Sequence, residues 1–176
     1  MFGVKVLGSL LVLLAASGLG TAKSMEYRGR IRSLAEMRRL FLLLDGEIRS
    51  SRTPVPDAFL HMSSRMQEEY KGFLLELAEE LNRMEGEQFR DLWCRLLEKH
   101  FGEGRSFLKK EDLELAASFG DVFGYLDSQM QMDAIRFLQE QLLERMSALS
   151  ACCGSRMRLA RLLGVSLGIF LVLILV

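Results

Sequence analysis

Leu34, Met37, Phe41, Leu44 and Ile48 stand 3, 4, 3 and 4 residues apart, which puts them on one face of an α-helix. The same period returns in Leu74, Leu77, Leu81 and Met84, and again in Phe89, Leu92, Trp93, Leu96 and Leu97. Thr53-Pro54-Val55-Pro56 interrupts the first run. Thr53 suits an N-cap and Pro54 the first helical position, so a second helix carrying Ala58, Phe59 and Met62 should begin there. Glu85-Gly86 and Gly102-Glu103-Gly104 mark further breaks. A short helix with Leu113, Ala116, Ala117 and Phe119 follows, and Phe119-Gly120 and Phe123-Gly124 punctuate its end. Asp127 suits the N-cap of a long last helix whose inner side reads Gln131, Ile135, Leu138, Leu142, Met146 and Leu149. Between Lys23 and Arg161 only six residues are β-branched, so a sheet is not expected. The fold class is all-α: a six-helix antiparallel bundle. Met37, Met62, Met66, Met84, Met130, Met132 and Met146 are expected to fill its core.

The two ends of the chain read differently. No charge occurs in Val6–Ala22 or in Leu162–Val176. The second stretch spans about 22 Å as a helix and can borrow length from the preceding turns, with Arg158 and Arg161 reaching outward. We therefore expect transmembrane helices at 1–22 and 162–176, continuous with the first and last helices of a bundle at 23–161. Residues 23–52 carry eight bases and four acids, 145–161 carry four arginines and no acid, and 53–144 carry ten bases and nineteen acids. Bases flank both segments, so the positive-inside rule places the bundle in the cytoplasm, its basic ends near anionic headgroups. The alternative is a signal peptide cut after Ser-Gly-Leu-Gly-Thr-Ala, leaving an extracytoplasmic helical binding module. Ala16 with Gly20, and Gly164 with Gly168, are small-xxx-small pairs that let membrane helices pack on each other or on a second copy.

Composition adds exclusions. Hydrophobic residues at 49% exclude a disordered chain, and 23 bases against 23 acids give no field for nucleic acid. Cys94, Cys152 and Cys153 make no disulfide framework, and His61 and His100 make no zinc site with them. The pairs Glu68-Glu69, Glu79-Glu80 and Glu111-Asp112 are read as solvated helix faces. Ser63-Ser64 and Cys94 have no evident base, and Walker, HExxH and GxSxG patterns are missing. No catalytic residue, metal or cofactor is expected, and a helical hydrolase finds no nucleophile. Capping and a side-chain hydrogen bond one turn apart account for Asp127 and Gln131, with contact to a partner protein as the alternative.

Two patches resemble a known family. Leu43-Leu44-Asp45-Gly46-Glu47-Ile48 followed by Thr53-Pro54-Val55-Pro56-Asp57-Ala58 is similar to the "LExEI…TPLPEA" pattern of stage III sporulation protein AB. Phe119-Gly120, Phe123-Gly124, Asp127, Gln131 and Ile135 are similar to its "FGxxLGxxDxxxQxxxI". The apolar ends match its layout too. Asp45, Val55 and Phe123 depart from the pattern, and Met62–Arg105 is matched only by helical spacing and Trp93. The resemblance implies Glu47, Ile48, Thr53, Pro54, Pro56, Phe119, Gly120, Gly124, Asp127, Gln131 and Ile135 as family positions. It also implies a bundle like that of the type II secretion platform protein F. The function implied is a non-enzymatic scaffold in the channel complex of endospore formation, in the mother-cell membrane around the forespore. Its partners would be the ATPase stage III sporulation protein AA and other stage III proteins.

Overall fold

The computed structural model describes residues 2–50, 54–83, 86–123 and 128–175, and side chains over 25–49, 54–83, 86–123 and 129–152. All secondary structure there is helical: α1 Phe2–Ser50, α2 Val55–Ser63, α3 Glu68–Arg83, α4 Phe89–Phe101, α5 Lys110–Val122 and α6 Ser128–Leu175. The six helices and their order agree with the periodicity. α2 starts one residue later than expected, because Pro54 stays extended at φ −54° and ψ 145° while its carbonyl accepts from the Ala58 amide at 3.0 Å. Gly86 and Gly104 both adopt φ +77°, a conformation costly for any residue with a Cβ, so both expected breaks are true turns. The chain separates into two units, Arg30–Met146 and Met1–Gly29 with Ser147–Val176.

Within Arg30–Met146 the core rows are those the spacing named. Leu34, Met37, Phe41 and Leu44 of α1, Leu74 and Leu77 of α3, and Ile135, Leu138 and Leu142 of α6 are all buried. Trp93 is the hub. Its ring lies 5.1 Å from Phe73, 5.3 Å from Phe119, 5.8 Å from Phe89 and 6.4 Å from Phe41, and its Nε1 donates to the Ala116 carbonyl at 2.9 Å. α4 runs antiparallel to both α3 and α5. Tyr70 at the start of α3 meets Phe101 at the end of α4, with ring centroids 4.6 Å apart. Phe89 at the start of α4 meets Phe123 at the end of α5 at 4.4 Å.

Two expectations are corrected. Asp112 is 1% exposed and is no part of a solvated face. Met37, Met62 and Met66 are buried, but Met130 is exposed and Met132 and Met146 are half-buried. Met84 lies outside the described residues. Among the described residues no helix is long and apolar enough to cross a membrane. The expected segments at 1–22 and 162–176, with Ala16, Gly20, Gly164 and Gly168, concern side chains outside that description.

Candidate functional site

Asp112 occupies the first turn of α5, where its carboxylate can turn back on the helix start. Oδ2 accepts from the Lys109 amide at 3.0 Å, satisfying one of the donors a helix N-terminus leaves open. Arg30 of α1 binds it bidentately, Nε to Oδ2 at 2.8 Å and Nη2 to Oδ1 at 2.9 Å. Arg145 of α6 donates to Oδ1 at 2.9 Å and to the Glu111 carbonyl at 2.7 Å. Burial alone would raise the Asp112 pKa. The Arg30 fork, the Lys109 amide and Arg145 outweigh it and hold the carboxyl below its ordinary value. Arg30 opens the Arg30–Met146 unit and Arg145 nearly closes it, so both chain ends of the unit meet at one carboxylate.

Beside this node, the Tyr70 hydroxyl donates to the Ser33 carbonyl at 2.6 Å, and Gln67 Nε2 donates to Glu36 Oε1 at 3.0 Å. Burial pushes the Tyr70 phenol far above its usual range, with Glu69, Glu36 and Asp112 adding to the shift. On the α3–α4 face Glu76 bonds Lys99 and lies 2.8 Å from His100 Nε2. Lys99, then His100, hold its carboxyl below the usual range against partial desolvation.

The opposite end of the unit holds the second motif patch and close sequence neighbours of the first. Phe59, in the helix opened by the Pro54–Pro56 turn, lies 6.3 Å from Phe123, and Phe119 lies 5.5 Å from Phe41. Gly120 is buried where α5 crosses α4: a Cβ there would stand 3.2 Å from both Arg90 Cα and Trp93 Cδ1. Phe119 and Ile135 are buried, while Glu47, Ile48, Pro56 and Gln131 are half-buried and Pro54 is exposed. Thr53, Gly124 and Asp127 lie outside the described residues. Of the motif positions with described side chains, Phe119, Gly120 and Ile135 are buried, and the others keep solvent contact.

Among the described residues no three His, Cys, Asp or Glu side chains are grouped to hold a metal. An open cleft at the end of α4 is lined by Gly102 and the charged residues Arg95, Glu98, Lys99, Glu103 and Arg105. Cys94 is half-buried, and burial raises its thiol pKa, with Asp121 and Asp91 adding and Arg90 opposing; that disfavours the reactive thiolate. The Asp112 node was missed in the sequence because its only local signal, a carboxylate in a helix first turn, is common.

Comparison with known proteins agrees with the motifs. A family model described as "Stage III sporulation protein AB (spore_III_AB)" matches residues 5–176. A solved structure titled "Stage III sporulation protein AB (SpoIIIAB)" superposes with a TM-score of 0.65 at 19% identity, covering 72% of this chain and 97% of that one. That likeness is one of fold. Comparison with curated protein sequences returns no match.

Proposed function

We propose, since the chain belongs to the stage III sporulation protein AB family, that it is a non-enzymatic membrane scaffold of the sporulation complex. Its role in sporulation follows from the family. In the proposed reading, residues 1–22 and 162–176 span the mother-cell membrane around the forespore, and the bundle faces the cytoplasm. There it links the ATPase stage III sporulation protein AA to the other stage III proteins of the channel. Its work is associative and mechanical.

One observation carries this reading. Arg30 and Arg145 converge on Asp112, so α1 enters and α6 leaves the Arg30–Met146 unit at the same end. Two terminal segments starting from one end can enter the same face of one bilayer without a loop having to pass around the bundle. The excess of bases in 23–52 and 145–161 supports the same orientation.

Topology tests it. Cysteines placed at the exposed positions Ser64 and Ser118, in a chain with Cys94, Cys152 and Cys153 replaced, are challenged with an impermeant maleimide on intact cells. Labelling only after the cytoplasm is opened, on a full-length membrane-bound chain, is the expected result. Labelling from outside, or a chain shortened by about 22 residues, would replace the scaffold with the signal-cleaved module.

A further inference from the structure

α6 carries a second seam on its solvent side. Met130, Ala134, Phe137 and Gln141 are spaced 4, 3 and 4 residues apart, the heptad pattern of a helix-pairing face. This row is rotated by roughly 100° from the buried row Ile135, Leu138 and Leu142. Phe137 is 58% exposed and Met130 53%, so the bundle core does not consume them. Asp133 and Glu140 stand seven residues apart along one edge of the seam, where coiled coils place the charges that select a partner. Between Gln129 and Glu144 three acids face one base, Arg136, which lies 3.5 Å from Asp133.

We infer that the Met130–Glu144 face of α6, about 21 Å long, docks a helix of a partner protein with apolar residues at heptad spacing flanked by Lys or Arg. A second copy of this chain fits poorly through the same face, because its Asp133, Glu140 and Glu144 would stand opposite their equivalents. An anionic bilayer fits poorly for the same reason. The inference rests on the scaffold reading, and it gives the docking chemistry that reading leaves open.

The test uses the full-length chain in nanodiscs, with purified stage III sporulation protein AA as the probe in biolayer interferometry. Phe137→Glu should weaken binding about 10-fold or more, as loss of a central aromatic anchor does. Asp133→Lys with Glu140→Lys should weaken it and flatten its salt dependence. Leu60→Glu, at an exposed position on α2, should bind as the wild type, and all variants should keep the wild-type melting temperature. Wild-type affinity in both α6 variants would overturn the docking face and leave the scaffold intact. Equal loss in Leu60→Glu would also overturn it, as would altered self-association with ATPase binding retained. No binding by the wild type would remove the ATPase link and the inference together.

Discussion

Asp112 ties together residues 82 and 33 positions away, Arg30 and Arg145, in a way no local spacing announces. Its two arginines keep partial solvent access, 15% and 31%, so they retain some hydration if the carboxylate is removed. Asp112→Ala should therefore cost about 3 kcal/mol, the lower end for breaking a buried ion pair, read as a fall in the urea midpoint at pH 7. The pH profile discriminates the cause. Because the folded pKa lies below the unfolded one, about 3.9, the carboxylate's contribution is fully present above that value. It is lost as pH falls through the folded pKa. The gap between wild type and Asp112→Asn should hold steady from about pH 5 to 8 and narrow below about pH 4. A gap independent of pH down to acid unfolding would mean the charge contributes nothing.

Between elements, the α4–α5 contact depends on the missing side chain of Gly120. A methyl there meets backbone at Arg90 and a Trp93 ring already fixed by its bond to the Ala116 carbonyl. Alanine would gain about 1 kcal/mol of helix propensity, but neither neighbour can retreat without opening the aromatic hub. Gly120→Ala should destabilise the chain by a net ~1–2 kcal/mol, seen as a melting temperature several degrees lower. An unchanged or higher melting temperature would show that α4 and α5 separate freely. The Phe119-Gly120 pair was visible in the sequence as a motif and a helix-end signal. Its packing role was not, because a glycine in a string does not reveal which backbone approaches it.

For the molecule as a whole, the scaffold reading makes the terminal segments assembly elements. Gly164→Leu with Gly168→Leu should leave membrane insertion intact and reduce crosslinking between copies or to neighbouring channel proteins. Unchanged crosslinking in isolated membranes would assign those glycines to ordinary helix composition. Together with the α6 seam, this predicts two separable defects: loss of ATPase binding from Phe137→Glu, and loss of assembly from the glycine pair.

The class of the fold, the number and order of the helices among the described residues, and most of the inner faces are legible in the local pattern of the chain. Those follow from a 3.6-residue period, scarce β-branched residues and breaks at Thr53–Pro56, Glu85-Gly86 and Gly102–Gly104, all properties of neighbours in the chain. The two patches also sufficed to find the family. That Asp112 is buried under arginines from α1 and α6, and that Met130 and Phe137 face water, is set by long-range packing. So is the meeting of Phe59, one residue past the first patch, with Phe123 of the second. A carboxylate pair on a helix and a methionine at core spacing read the same whether or not another helix covers them. Coverage is set by which helices lie side by side, and that is fixed by contacts between residues tens of positions apart.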